Sequence, residues 1–327
     1  MATYGIEEEV FVTEPERPTL RSLYFLTRLM ARDPRFYYTH SASNFSRGKD
    51  VKQGLVSGIE ISTPVCENAQ AAATDLENRR KDLAAVCKGL IVPIGHLLDY
   101  DSPTNTCAMQ IHVGGVEDKQ KLYNNLLHFL PILSLFTINS PASNGERFGK
   151  SYRICKSWAI GPILDNWEIR FQDMILSKRL GTIELRVFDP CWDMKRIRAL
   201  LAAIQAIAEL DEQLEPNTDY YNTQRQEMGL NGLLDANSKL LDELKLITNI
   251  DEQLLVKSAS DEMYKIYKSN GLVGAYSAAD NAYRNGIFEP RDVKQKQKLH
   301  LAKGIIGLVG YYLPRLPYYA WKGIVEN

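Results

Sequence analysis

The sequence predicts an α+β fold built around a curved, mainly antiparallel sheet of about six strands. Five short segments alternate polar and apolar residues, and several longer segments repeat apolar residues at helical spacing. No linker rich in Gly, Ser or Pro divides the 327 residues. Length alone would allow one large domain or two small ones. Because no boundary is visible, we expect a single domain covering residues 1–327.

The strand prediction rests on alternation, because successive side chains of a strand point to opposite faces of the sheet. The five segments are Gly5–Phe11, Gly58–Pro64, Met109–Gly114, Trp167–Phe171 and Thr182–Phe188. Their polar positions define what we call the polar face: Glu7, Glu9, Glu60, Ser62, Gln110, His112, Glu168, Arg170, Glu184 and Arg186. Glu8 falls on the opposite, apolar face with Ile6 and Val10. We expect helices to cover that apolar face.

Three long helices are predicted from apolar residues at helical spacing, over residues 69–87, 122–138 and 193–214. Asp193 is well placed to cap the third helix. Charged helical patterns continue from residue 233 to residue 268.

The apolar stretch 301–313 contains Lys303 and is too short for a membrane span, which needs roughly 18 uncharged residues. We expect a C-terminal helix that packs on the core and ends near Pro314. An interfacial or oligomer-forming segment is the alternative, and a homo-oligomer is left open.

Composition excludes several classes of protein. With 39 Lys+Arg against 40 Asp+Glu, the formal charge is −1, so the general attraction that a nucleic-acid binder needs is missing. No basic stretch followed by an apolar core opens the chain, so we expect no signal peptide, no membrane anchorage and a cytoplasmic location. The five cysteines form no CxxC pair, which disfavours a disulfide framework or structural zinc.

The polar face is unusual because it collects carboxylates. A solvated sheet face would explain any single strand, but such a face normally mixes Thr, Lys, Ser and Gln. Two carboxylates about 4 Å apart repel by about 1 kcal/mol in water and about 4 kcal/mol at an effective dielectric near 20. Metal ions would offset this repulsion, and oxygen ligands favour Mg²⁺ or Mn²⁺. We therefore expect Glu7, Glu9, Glu60 and Glu184 as metal ligands, with His112 adding a nitrogen.

Arginine on the same face points to phosphate, which a guanidinium binds through two parallel hydrogen bonds. Arg170 and Arg186 occupy such positions. Carboxylates, a divalent metal and arginine together are typical of nucleotide phosphoryl transfer. The sequence has neither a GxxxxGK[ST] nor a GxGxxG loop, so ATP would have to be held by the sheet face and its metals.

Six motifs in order resemble those of the type-2 glutamate–cysteine ligases, the carboxylate–amine ligases of the glutamine synthetase-like superfamily. They fall between Gly5 and about Ile287, so the resemblance covers most of the chain. The matching segments are Gly5-Ile6-Glu7-Glu8-Glu9, Glu60-Ile61-Ser62-Thr63-Pro64, His112-Val113-Gly114, Asn139-Ser140-Pro141 with Ser151-Tyr152-Arg153, Trp167 and Arg170 with Thr182, Glu184, Arg186 and Asp189, and the weaker Asn281, Arg284 and Gly286.

The resemblance implies an ATP-dependent ligase with a glutamine synthetase-like catalytic fold. Its reaction would join the γ-carboxylate of glutamate to an amine through an acyl phosphate, with cysteine as the expected acceptor and glutathione biosynthesis as the setting. ATP and Mg²⁺ or Mn²⁺ would be the cofactors. Arg186 and Arg170 would be catalytic, and Arg153, Arg284 and Asn139 would bind substrate or ATP.

Two alternatives stay open. The enzyme could join glutamate, or the carboxylate of another amino acid, to a different amine or carrier. A catalytically inactive homologue that only binds nucleotide is the third hypothesis, although none of the expected metal ligands is missing.

Overall fold

The fold was analysed in a computed structural model of the chain. The structure describes residues 1–16, 21–33, 35–39, 58–101, 106–157, 159–161, 172–178, 180–293, 301–317 and 321. The predicted strand Trp167–Phe171 lies outside these residues.

A seven-stranded sheet forms the centre of the fold, and every pairing between its strands is antiparallel. Its strands are β1 Thr3–Thr13, β2 Tyr37–Thr39, β3 Gly58–Ser62, β4 Leu90–Val92, β5 Met109–Gly114, β8 Met174–Ser177 and β9 Thr182–Phe188. They follow the order β2-β3-β1-β5-β9-β8, and β4 pairs with the far end of β1. The predicted antiparallel α+β fold is confirmed.

A separate two-stranded hairpin pairs β6 with β7. It consists of β6 Ala142–Ser143 and β7 Glu146–Arg147.

The predicted helices are present with shifted ends, and three further helices, at 21–30, 152–156 and 218–231, were not predicted. They are α1 Arg21–Met30, α2 Ala69–Val86, α3 Lys119–Leu133, α4 Tyr152–Lys156, α5 Met194–Ala208, α6 Thr218–Asn231, α7 Ser238–Ile247, α8 Gln253–Val256, α9 Ala259–Asn285 and α10 Leu301–Tyr312. Asp193 caps α5 by accepting a hydrogen bond from the backbone N–H of Lys195, as expected. Helix α9 is broken at Gly271, whose φ is 69°.

The apolar face of the sheet is buried beneath helices. Its side chains, which include Ile6, Ile59, Ile111, Ile183 and Leu185, are at most 1% exposed. They share one hydrophobic core with residues of α2, α3 and α5. Burial of this face against helices leaves the polar face as the side of the sheet on which charged groups collect.

Glu8 is the one carboxylate of β1 on the apolar side, and it is fully buried there. It forms an ion pair with Arg80 of α2 and accepts a hydrogen bond from the hydroxyl of Tyr283 on α9. The Arg80 guanidinium also donates to the carbonyls of Cys191 and Trp192. The exclusion of Glu8 from the polar face is therefore confirmed, and this pair ties the sheet to its helical layer.

The C-terminal helix α10 packs on α1, and after a short 3₁₀ turn, Leu313–Arg315, helical residues continue at 316, 317 and 321, so the predicted end near Pro314 corresponds only to the end of α10. Within the described ranges, no helix combines the length and the apolar character that crossing a membrane requires.

Candidate active site

Strand register brings the expected metal ligands to one side of the sheet. Glu9 of β1 lies opposite Glu60 of β3, and Gly5 of β1 lies opposite His112 of β5. His112 in turn lies opposite Glu184 of β9. Because directly paired residues point to the same face, Glu7, Glu9, Glu60, His112 and Glu184 all lie on the polar face.

Charged side chains meet at the middle of this face. The Glu7 carboxylate lies 3.6 Å from Nε2 of His112. Next to them, Nε of Arg186 lies 3.4 Å from Oε1 of Glu184. The side chains of His112 and Glu184 are only 10% exposed, whereas that of Glu7 is 33% exposed. The group is therefore recessed, with Glu7 at its open side.

His112 is held toward its charged form by these carboxylates. Burial alone would lower the pKa of His112, but the nearby Glu7 and the charge of Glu184 raise it above the ordinary value of 6.5. Its Nδ1 lies 3.3 Å from the hydroxyl of Thr182. A histidine that is protonated and beside a carboxylate can donate a proton or a hydrogen bond to an anion, but it must lose that proton before binding a metal.

Glu9 and Glu60 form a second carboxylate pair further along β1. Glu9 is only 6% exposed, and its Oε2 accepts a hydrogen bond of 2.6 Å from the backbone N–H of Ala108. A directly opposed pair of carboxylates repels unless a cation or a proton lies nearby.

A bulge between β5 and β9 lies beside Arg186. Ile111 pairs with Leu185 whereas Met109 pairs with Phe188, so β9 carries one extra residue opposite Gln110. Bulges of this kind bend a strand and re-aim its side chains. The backbone N–H of Arg186 donates to the carbonyl of Asp173, which fixes the bulged segment from the other side.

Arg153 binds the backbone of β9. Its guanidinium donates to the carbonyls of Arg186, at 2.6 Å, and Phe188, at 3.3 Å. Its Nε is buried without a hydrogen-bond partner. The predicted substrate-binding role of Arg153 stays a prediction, and the contacts we see hold the strand that carries Arg186.

Asn139 is fully buried, and its hydrogen bonds connect the loop segments around Pro93 and Pro190. Its side-chain NH₂ donates to the carbonyls of Pro93 and Pro190, and its backbone N–H donates to Asp189. The Asp189 carboxylate also accepts from Ser140 and Ser151, which joins the two halves of the N-S-P and S-Y-R motif. The structure thus shows these motif residues in a buried network around Asp189.

Arg284 lies on the helical side of the sheet, so the structure does not bring it to the polar face. Its guanidinium pairs with Asp280 and donates to the carbonyls of Ala84, Cys87 and Gly89 at the end of α2. Sequence motifs alone placed Arg284 with the substrate, but the exposed carbonyls at this helix end engage it instead. Arg170 lies outside the described residues.

A cavity of about 410 Å³ opens beside Glu7 and His112. Arg35, Phe36 and Thr63 contribute to its wall. Arg35 and Phe36 were not predicted from the sequence, since they belong to no alternating segment and no motif. The cavity joins the recessed charges to solvent, so a small charged molecule could reach them.

A larger cavity of about 890 Å³ lies on the helical side, lined in part by Arg80, Tyr283 and Arg284. Its two arginines are already bound to Glu8 and to the end of α2. Size alone does not make it the reactive centre. The polar face combines opposed carboxylates, a histidine and an arginine, so we assign the candidate site there.

The donor chemistry of the polar face suits a hard divalent cation, because carboxylate oxygens predominate. In the part of the chain that the structure describes, no group of three or more His, Cys, Asp or Glu side chains is arranged to hold a metal ion as it stands. Mg²⁺ commonly uses only one or two carboxylates together with waters and substrate phosphates.

Comparison with known proteins was made in sequence and in structure. No family model matches the chain. A protein named "Putative glutamate–cysteine ligase 2" from Ectopseudomonas mendocina is 25% identical over 262 residues, covering 64% of this chain and 66% of the relative. One of the same name from Streptomyces coelicolor is 23% identical over 259 residues, covering 64% of this chain and 69% of the relative.

Solved structures share the fold at low identity. A glutamate–cysteine ligase from Francisella tularensis in complex with AMP superposes with a TM-score of 0.56 and 11% identity, covering 87% of this chain and 89% of that one. A bifunctional glutathione synthetase from Pasteurella multocida gives a TM-score of 0.55 and 11% identity, covering 87% of this chain but 51% of that one.

The sequence matches thus span about two thirds of each relative, and the structural match to the Francisella tularensis enzyme covers 87% of this chain. The resemblance predicted from the motifs is confirmed: the chain is related to the proteins named as type-2 glutamate–cysteine ligases.

Proposed function

We propose that the chain is an ATP-dependent carboxylate–amine ligase that joins glutamate to an amine, with cysteine as the first acceptor to test. The reaction forms an acyl phosphate at the γ-carboxylate and then an amide, releasing ADP and phosphate. The observation that carries this proposal is the meeting of Glu7, His112, Glu184 and Arg186 on one recessed sheet face.

Each of these side chains has a role that its geometry supports. Glu184 and Glu7 would hold Mg²⁺ or Mn²⁺, which neutralises phosphate charge in such reactions. Arg186, two residues after Glu184 on the same strand, would bind the transferring phosphoryl group. His112 would offer a proton or hydrogen bond to a phosphate oxygen, since its pKa is raised by the adjacent carboxylates.

Glu9 and Glu60 would complete the metal-binding part of the site. They lie opposite each other on β1 and β3, and Glu9 is two residues after Glu7 on the same face of β1. Their carboxylates would supply oxygen ligands to a divalent cation. This proposal explains why the carboxylates line one face of the sheet.

A ligase that uses a different acid, amine or carrier is the second candidate. The curated relatives carry the name of glutamate–cysteine ligase, but they are only 25% and 23% identical to this chain. Arg35 lines the cavity beside Glu7, where its guanidinium donates two hydrogen bonds to the Asp33 carboxylate.

The test is product mass after incubation of the purified chain with ATP, Mg²⁺, glutamate and a panel of single amines. We expect ADP release that depends on glutamate and on one preferred amine. The product should have the mass of glutamate plus that amine minus one water. Reactions without glutamate, and reactions of the Glu184→Gln variant, are the controls. ADP release that ignores every acid and amine offered, or nucleotide binding without turnover, would contradict the proposal.

A further inference from the structure

The C-terminal helix α10 leaves a row of large apolar side chains in solvent. Of the 14 large apolar residues that are exposed among the described ones, six belong to this end of the chain. These six are Ile305, Ile306, Val309, Leu313, Leu316 and Trp321, and we call them the C-terminal apolar row. Clusters of exposed apolar residues mark interaction surfaces more often than chance.

Two glycines on the opposite side of α10 fix this orientation. A Cβ at Gly304 would lie 2.8 Å from the backbone nitrogen of Tyr24, and one at Gly307 would lie 2.1 Å from Cγ2 of Thr27. The Thr27 hydroxyl also lies 3.2 Å from the carbonyl of Gly304. Since only glycine permits so close an approach to α1, the helix cannot rotate to bury the apolar row.

The sequence that contains the row carries charge of one sign. Between Val293 and Val325 the sequence contains no Asp or Glu, although the chain carries 40 of them in all. The same stretch holds six basic residues, which are Lys294, Lys296, Lys298, Lys303, Arg315 and Lys322. It also contains Tyr311, Tyr312, Tyr318, Tyr319 and Trp321. Tyr and Trp favour the boundary between lipid headgroups and acyl chains.

We propose that the C-terminal apolar row docks on the surface of an anionic lipid bilayer. The apolar side chains would enter the headgroup boundary, and Lys303 and Arg315 would lie against the acidic lipids, as in interfacial helices. Docking leaves the polar face untouched, because α10 packs on α1 and not on the strands that carry Glu7 or Glu184.

A second copy of the chain and a nucleic acid fit this surface less well. A symmetric pair would place two acid-free, basic stretches against each other, which costs repulsion. Nucleic acid would engage the basic residues but leave Ile306, 70% exposed, and Val309, 51% exposed, without an apolar partner. An anionic lipid surface satisfies both kinds of side chain.

Flotation of the full chain with vesicles tests the proposal. We expect binding to vesicles of phosphatidylcholine mixed with phosphatidylglycerol and at least tenfold weaker binding to phosphatidylcholine alone, with the difference reduced at high salt. Ile306→Asp should lower the partition to mixed vesicles by roughly tenfold or more, and Lys303→Glu by about tenfold.

Leu246→Asp is the matched control, because Leu246 is 89% exposed on α7, outside the C-terminal apolar row. It should bind vesicles as the unaltered chain does, and all variants should keep their thermal unfolding temperature. Binding that is equal for both lipid compositions, or unchanged in Ile306→Asp, would overturn the proposal. So would a dimer in sedimentation that Ile306→Asp dissociates while no vesicle binding is seen, since that result assigns the row to self-association.

Discussion

At the scale of single residues, alternation along the strands predicted the polar face well. Glu7, Glu60 and Glu184 share a face because side chains alternate along each strand and directly paired residues of neighbouring strands point to the same side. Motif position was a weaker guide for Arg284, which the structure finds bound to carbonyls at the end of α2. Such contacts depend on where a helix ends in space, and the local sequence does not encode that.

Arg186→Lys tests whether the guanidinium acts in the reaction. Lysine keeps the charge but loses the two-pronged donor, so we expect turnover to fall by about a hundredfold, the scale of a lost preorganised donor. Apparent nucleotide affinity should change much less. Initial rates and melting temperature, measured on one preparation, check this.

The control for that variant is Arg147→Lys, an exposed arginine outside the polar face that pairs with Asp261. It should keep normal turnover. Near-normal turnover in Arg186→Lys, with a lower melting temperature, would mean that Arg186 only pairs with Glu184.

Removal of single carboxylates tests the metal assignment. Glu7→Gln, Glu60→Gln and Glu184→Gln should each weaken ATP binding in the presence of Mg²⁺ by roughly tenfold, the scale of one lost contact with a charged partner. Without metal, loss of a like charge should leave the melting temperature unchanged or slightly higher. Calorimetry measures the affinities, with the exposed Glu212→Gln as control. Unchanged affinity in all three would refute the assignment.

The ionisation of His112 gives a prediction in pH. Its folded-state pKa is raised above the ordinary 6.5, so its contribution to stability is full below about pH 6.5 and is lost as pH rises through the folded pKa. NMR titration of the ring should show the raised pKa, and Glu7→Gln should lower it. An unchanged pKa in that variant would show that Glu7 does not determine the charge of His112.

At the scale of elements, helices were predicted more closely than strands. The helix predicted over 69–87 is observed at Ala69–Val86, whereas the one predicted over 193–214 ends at Ala208. Strands β2, β4 and β8 were not predicted, because three or four residues are too few to show alternation. Their positions depend on partners far along the chain.

Gly58 sets the contact between β1 and β3. A Cβ at this position would lie 2.3 Å from the carbonyl oxygen of Val10, so Gly58→Ala must push the two strands apart. We expect a loss of about 1–3 kcal/mol in the free energy of unfolding, the usual cost of overpacking. Gly310→Ala, whose added Cβ would meet nothing within 4 Å, should be neutral or slightly stabilising. Urea titrations of both variants check this, and equal stabilities would contradict the expected clash.

At the scale of the whole molecule, the sequence predicted the layers but not the strand order. The sheet places β9 beside β5 and β1 beside β3, so Glu60 and Glu184 lie on opposite flanks of the two central strands. The alternation of polar and apolar residues shows which side of a strand is polar. Which strands pair with each other is determined by long-range packing, which the alternation does not report. The buried pair of Glu8 and Arg80 could not be predicted either. The sequence shows that Glu8 is a charged residue on an apolar face, but it does not show that Arg80 is its partner.

This buried pair should be critical as a unit. Arg80→Met leaves the Glu8 carboxylate unpaired in the core, so we expect a loss of about 3–5 kcal/mol in the free energy of unfolding. Glu8→Met combined with Arg80→Met should recover much of that loss, because the charge is removed along with its partner. Denaturant unfolding of the single and double variants measures this. A double variant no more stable than Arg80→Met would show that the hydrogen bonds from Arg80 to the carbonyls of Cys191 and Trp192 contribute more to stability than its ion pair with Glu8.

The central position of β1 also determines when the protein can assemble. Along the described chain β1 comes first, and it pairs with β3, β4 and β5, whose residues are synthesised later, up to about 100 positions along. Until then its backbone groups and the apolar side chains of Ile6 and Val10 have no partner, a state prone to aggregation. The polar face is complete only after β9 adds Glu184 and Arg186. Shortened chains that end before β9 should therefore depend on chaperones and never acquire nucleotide binding.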